Sequence, residues 1–129
     1  MTPVVLFACI HNSGRSVAAE MLARELGQGR VDVRSAGSEP SGTVNPVVAE
    51  VLAERGLHVD AHEPTLLTPD LVRDVDVVIT MGCGETCPVF PGKRYEDWQI
   101  DDPKGQDRET VRRIVDEIEG RVRRLLAEL

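Results

Sequence analysis

From Pro3 to Ala8 the apolar residues run without a break, whereas a strand with one wet face would alternate apolar and polar positions. The stretch therefore reads as a strand covered on both faces, which is the environment of a parallel sheet flanked by helices. Val75 to Thr80 is the most β-branched run in the chain and reads as a central strand. Val31 to Ser35 and, after the Pro91-Gly92 turn, Tyr95 to Trp98 supply two shorter strands. Helical patterns lie between them. Val17, Met21, Leu22 and Leu26 recur at helical spacing within Ser16 to Leu26, with Gly27 as a stop signal. Asn45, Pro46 and Gly56 bracket a second helix, and Thr68-Pro69-Asp70 opens a shorter third. The last segment places Val111, Ile114, Val115, Ile118, Val122, Leu125, Leu126 and Leu129 on one stripe of a long amphipathic helix. Alternating strands and helices predict one α/β domain over residues 1–129, a three-layer α/β/α arrangement around a four-stranded parallel sheet. Ligands of such sheets bind beyond the carboxyl ends of the strands, where Cys9 and Met81 to Cys83 fall.

The formal net charge of −7 argues against nucleic acid as a partner, because its phosphates draw Lys and Arg. No apolar stretch approaches the ~18 residues of a membrane span, and the residues before Val4 lack the basic start of a signal peptide. A cytoplasmic protein is expected. The cysteines, Cys9, Cys83 and Cys87, are odd in number and too few for a disulfide scaffold, so they read as reactive thiols. A zinc site is not expected, since His58 and His62 would have to be recruited from afar.

CIHNSGRS, residues 9–16, begins where the first strand ends and finishes where the first helical pattern starts. A strand, a polar loop and a helix start form a geometry that binds anions through backbone N–H groups. The oxyanion-binding set predicted here is Ile10, His11, Asn12, Ser13, Gly14, Arg15 and Ser16. The loop amides can curl around a tetrahedral oxyanion while the Arg15 guanidinium grips it bidentately. The same amides, the helix N-terminus and the Ser16 hydroxyl would stabilise a thiolate at Cys9 and make it a nucleophile. Asn12 suits a left-handed turn, and Gly14 removes bulk where backbone must approach the ligand. A buried, inert cysteine is the plainer account, but it leaves Arg15 and Ser16 without a task. His11 faces either solvent or the reaction.

With Asp101-Asp102-Pro103, this stretch resembles the low-molecular-weight phosphotyrosine phosphatase fold family, and GCGETCP at 82–88 resembles its thioredoxin-coupled arsenate reductase branch. The resemblance runs nearly the full chain and includes Ser35-Ala36-Gly37, Asn45-Pro46 and the strand Val77 to Thr80. It implies that Cys9, Cys83 and Cys87 act in that order on arsenate, with thioredoxin as reductant, and that Asp102, immediately before the proline, is the general acid. The chemistry agrees: a phosphatase needs one thiolate and has no use for two more, whereas arsenate is isosteric with phosphate and reducible by thiols. The Asp101-Asp102 pair could instead merely cap a turn. Phosphatases of the family follow their Asp-Pro with tyrosines that wall an aromatic substrate; here Lys104 and Gly105 follow, and the chain has one Trp, one Tyr and two Phe. Phosphotyrosine is therefore disfavoured. Some reductases bind potassium beside the loop with ligands that match Asn12, Glu20 and Ser35, but Thr65 stands where their aspartate does, so neither a tight cation site nor another cofactor is expected. The expected oligomeric state is a monomer. Three alternatives stand beside this reading: a small phosphatase, a mycothiol- or glutathione-coupled reductase, and a non-catalytic arsenite or soft-metal binder with three thiolate ligands.

Overall fold

A computed structural model describes residues 2–40, 43–59, 64–81 and 92–129. In chain order the elements are β1 (Val4–Cys9), α1 (Arg15–Gly27), β2 (Asp32–Gly37), α2 (Pro46–Glu54), α3 (Pro69–Arg73), β3 (Val77–Thr80), β4 (Arg94–Asp97) and α4 (Arg108–Glu128). The strands form one parallel sheet in the order β2-β1-β3-β4. β1 is thus interior, as its unbroken apolar run requires.

The pleat divides β1 between two cores. Val5, Phe7 and Cys9 face a large cluster shared with α1, α2 and α4, including Val17, Leu52, Ile79 and Ile118. Leu6 faces the other side, against Val72, Val75 and Val78 under α3. Phe7 packs on Trp98 with ring centroids 5.8 Å apart. The α/β/α layering and the four-stranded parallel sheet are therefore as the patterns predict.

Element ends differ from the sequence expectation for identifiable reasons. Gly27 does not stop α1; it is its last helical residue, and the left-handed turn falls on Gln28 (φ 43°) and Gly29 (φ 85°). A Cβ on Gly27 would stand 2.5 Å from Val31 Cγ1, so the glycine is there for close packing of the helix end. β2 starts one residue later than Val31 and runs on to Gly37, while β3 begins at Val77 because Asp76 already turns its N–H to the Val4 carbonyl. β4 starts one residue earlier than Tyr95 and ends before Trp98. The caps are as expected: Asn45 Oδ1 accepts from Val47 and Val48, and Thr68 Oγ1 accepts from Leu71.

α4 lies across α1 and α2, and its polar face is tied to α2 by Arg108–Glu50, Arg112–Glu54 and Arg55–Glu119 ion pairs. Hydrogen bonding from the Arg112 guanidinium holds the Glu54 carboxyl below its ordinary range. Access to solvent keeps such pairs weak. Burial of the apolar stripe dominates instead. Ile118→Ala should cost about 2–5 kcal/mol in urea denaturation, whereas Arg112→Ala should leave the midpoint close to that of the parent; a larger shift for Arg112→Ala would mean that the ion pairs hold the helices together.

Candidate active site

β1 ends on Cys9, which pairs with Gly37 of β2 at the carboxyl edge of the sheet. From there the chain turns through Ile10 to Gly14 and enters α1 at Arg15. The direction of the loop amides follows from its carbonyls. Those of Cys9, Ile10 and Ser13 accept from Ser38, Glu39 and Asn45, outside the loop, and that of Gly14 accepts from Ala18 along the helix. A trans peptide sets N–H opposite C=O, and no peptide bond here is cis. The N–H groups of Ile10, His11, Gly14 and Arg15 therefore turn toward the loop interior. Gly14, the N-cap of α1, has no side chain to occupy the free amides of the first turn. These donors and the dipole of α1 suit the loop to an anion.

Close approach fixes the loop's position. A Cβ on Gly37 would lie 2.6 Å from the Ile10 oxygen and 2.7 Å from the Asn12 nitrogen, both backbone atoms that cannot step aside. A Cβ on Gly14 would meet Pro103 Cγ at 3.0 Å, which sets the loop directly against the Asp-Pro turn. Asn12 takes the left-handed backbone (φ 52°) expected of it, and its side chain is fully buried.

That carboxamide organises the ground beneath Cys9. Asn12 Oδ1 accepts the Thr65 N–H at 2.9 Å, so its Nδ2 must be the atom that donates to Ser16 Oγ at 2.8 Å and Ser35 Oγ at 3.0 Å. Ser35 in turn donates to Glu20 Oε1. Ser16 Oγ lies 2.9 Å from Cys9 Sγ. Ser16 Oγ accepts from Asn12 and keeps its own hydrogen, which it can donate to a Cys9 thiolate. Cys9 is 3% exposed.

Arg15, about 10% exposed at its side chain, donates to the Ile100 carbonyl at 3.0 Å and stands 3.8 Å from Asp102 Oδ2. Asp102 is half exposed, and its Oδ1 accepts the Lys104 N–H at 3.0 Å. It therefore caps its turn and faces the arginine as well. A cleft of about 440 Å³ brings together Cys9, His11, Arg15, Asp102 and Lys104, with the start of α2 along one side. Asp101 borders a separate hollow beside Thr110 and Arg113. His11 Nδ1 carries the proton it donates to the Glu39 carbonyl at 3.1 Å, which fixes the tautomer. Cys83 and Cys87 lie outside the described residues, as do Gly82, Gly84 and His62.

Gly37 carries no signal in the sequence beyond its place in Ser35-Ala36-Gly37, and the Ile100 carbonyl carries none, since any residue type would offer it equally. The oxygens that match potassium ligands are already engaged: Asn12 Oδ1 by the Thr65 N–H, and the Glu20 carboxylate by the Ser35 hydroxyl and the Arg24 guanidinium at 2.8 Å.

A parallel α/β sheet that ends an interior strand on a cysteine, inside a loop of inward amides backed by an arginine, defines a protein with a thiol at an oxyanion site. Residues 4–129 match the low molecular weight phosphotyrosine protein phosphatase family, and the chain belongs to that family. Among proteins similar to it, the glutaredoxin arsenate reductase of a Synechocystis species is 35% identical over 128 residues, which is 97% of both chains. The structure of a thioredoxin-dependent arsenate reductase of Corynebacterium glutamicum superposes with a TM-score of 0.87 at 45% identity, and covers 98% of this chain. This chain spans 61% of that one. An arsenate reductase in a phosphate-binding state superposes at 0.88 with 34% identity over 98% of each chain.

Gly37→Ala should lower stability by about 1–3 kcal/mol in urea denaturation and weaken binding of inorganic phosphate by calorimetry, because the added methyl has to displace the loop. Gly120→Ala provides the contrast: its Cβ meets nothing within 4 Å on α4, so helix propensity alone should raise stability by about 0.5–1 kcal/mol. Phosphate binding by Gly37→Ala at the parent affinity would show that the loop tolerates displacement.

Proposed function

We propose that the protein is an arsenate reductase that binds arsenate in the loop from Cys9 to Ser16 and reduces it through Cys9, Cys83 and Cys87, with thioredoxin as the reductant. The observation that carries the reading is the Cys9 sulfur at the end of β1, 2.9 Å from the Ser16 hydroxyl and in one cleft with Arg15 and Asp102. Arsenate matches that tetrahedral site in shape and charge. The wall beyond the arginine favours an inorganic anion over an aromatic ester, since Lys104, Gly105 and Gln106 line it.

The Cys9 thiolate attacks arsenic, forming an S–As bond, and an oxygen leaves as water with a proton from Asp102. The Asp102 carboxyl is the member of the Asp101-Asp102 pair that borders the cleft. The Cys83 thiolate then attacks the Cys9 sulfur. The S–As bond breaks, its electron pair stays on arsenic, and arsenite departs with arsenic reduced by two electrons. Cys87 attacks Cys83, releasing Cys9 as thiolate and leaving a Cys83–Cys87 disulfide for a dithiol protein to reduce. No resident cofactor takes part, and the whole chain acts as one monomeric domain in the cytoplasm without nucleic acid or membrane as partner.

A second reading of the reductant has a specific source: the Synechocystis relative is named for glutaredoxin and the Corynebacterium neighbour for thioredoxin. Arsenate-dependent NADPH consumption, measured once with thioredoxin and its reductase and once with glutathione, glutaredoxin and glutathione reductase, separates the two. Turnover with neither, together with Cys9-dependent hydrolysis of an aryl phosphate, would instead make the chain a phosphatase.

Asp102→Asn should lower kcat by ~10²–10⁴, the usual contribution of a positioned acid, with a smaller effect on phosphate affinity. An equal loss in Asp101→Asn would move the role to Asp101. Cys87→Ser should release about one arsenite per enzyme and then stop with a Cys9–Cys83 disulfide, readable by peptide mapping. Steady turnover of Cys87→Ser at the parent rate would make Cys87 a bystander.

A further inference from the structure

The buried chain beneath the loop has a far end that none of the site chemistry uses. Glu20 projects from α1, one turn after Ser16, and its side chain is about 11% exposed. A carboxylate there accepts from Ser35, which fixes Ser35 Oγ as an acceptor for Asn12 and leaves the second Asn12 N–H for Ser16. Yet it also puts a negative charge under a loop that holds anions. Such a charge is costly unless it is paired. Arg24, one turn further along α1, meets Glu20 Oε2 at 2.8 Å, and the same Nη2 donates to the Val33 carbonyl at 3.0 Å. That joins α1, which carries Ser16 and Glu20, to β2, which carries Ser35. Arg24 also stands in the last turn of α1, where a cation is favoured by the helix dipole.

We propose that Arg24 is a positioning residue for the oxyanion loop: its guanidinium neutralises the buried Glu20 carboxylate in place of a bound monovalent cation, and so keeps Ser35, Asn12 and Ser16 aligned beneath Cys9. Both Glu20 oxygens already meet a partner, Oε1 the Ser35 hydroxyl and Oε2 the Arg24 guanidinium, so the carboxylate has a positive charge beside it without a potassium ion. The proposal rests on the loop as an anion site, and not on which oxyanion is reduced or by what.

The test is calorimetric binding of inorganic phosphate to the reduced full-length chain, in potassium chloride and in tetramethylammonium chloride at equal ionic strength. The parent should bind with the same affinity in both salts. Arg24→Gln should weaken phosphate by roughly three- to tenfold by taking the guanidinium charge away from the Glu20 carboxylate. Glu20→Gln combined with Arg24→Gln should restore the parent affinity to within about twofold, since removing the carboxylate removes the need for its partner. A role confined to holding the fold together would not be rescued in this way, and a double variant no tighter than Arg24→Gln overturns the proposal. So does parent affinity in Arg24→Gln, or a severalfold gain by the parent on adding potassium, a comparison that needs no variant to fold. Absence of phosphate binding by the parent in either salt would defeat the oxyanion site as well, while the variant results bear on Arg24 alone.

Discussion

The Asn12 carboxamide is the tie on which the site depends. One planar group in a left-handed turn joins the loop to the Thr65 backbone, to Ser16 at the start of α1 and to Ser35 in β2. Because an amide has one accepting and one donating end, the direction of each hydrogen bond follows from the single fact that a backbone N–H meets Oδ1. Gly37 supplies the steric half of the constraint by letting the loop lie directly on the end of β2. Thr65 is placed by the same strand end, since Gly37 N–H donates to its carbonyl and Leu66 bridges Gly37 in parallel. The sheet edge therefore sets the loop, and the loop sets the Cys9 sulfur.

An acidic chain that holds an oxyanion has to do so with local charge. The net charge of −7 provides no general attraction. Inward amides carry partial positive charge without being titratable, and the α1 terminus adds its dipole. Arg15 adds a full positive charge to the cleft that Cys9 lines. Its hydrogen bond to Ile100 holds the guanidinium at the cleft, so little rotamer freedom is left to lose when an anion arrives. Asp102 at 3.8 Å is too far and too exposed to spend that charge in a strong pair.

The fold was legible in the sequence because both of its periodicities are strong. Continuous apolar strands require cover on both faces, and the α4 stripe requires a partner surface. Asn45 and Thr68 cap the helices they precede, since capping is decided by side chain and sequence offset alone. Gly27 was misread because a glycine after a helical stripe signals a stop, whereas here it answers a tertiary contact with Val31 that no local pattern encodes. In the site, Cys9, Arg15 and Ser16 were legible from position between strand and helix. The split of the Asp101-Asp102 pair between two hollows was not, because adjacent residues in an irregular turn have no fixed facing. Nor was the role of Arg24, which as sequence is one more basic residue in a last helical turn.

An amide-lined loop of this kind does not choose its reaction. Its donors match the oxygens of a tetrahedral anion, and phosphorus and arsenic present nearly the same oxygens. The choice falls to what stands beyond the loop. An aromatic ester needs an apolar wall, and the wall after Pro103 offers Lys104, Gly105 and Gln106. A reducible centre needs electrons, and two thiols supply a pair of them on forming a disulfide. Cys9 is held by the sheet edge, where it can form one bond to the central atom but cannot also remove it reductively. A second thiol has to come from elsewhere, from another segment or from a separate molecule, and in the sequence Cys83 follows β3, the strand beside β1 in the sheet order. The parallel crossover that brings β3 alongside β1 carries the chain as far as Met81, whose N–H donates to the Ala8 carbonyl one residue before Cys9, at the end of the sheet where parallel α/β folds bind their ligands.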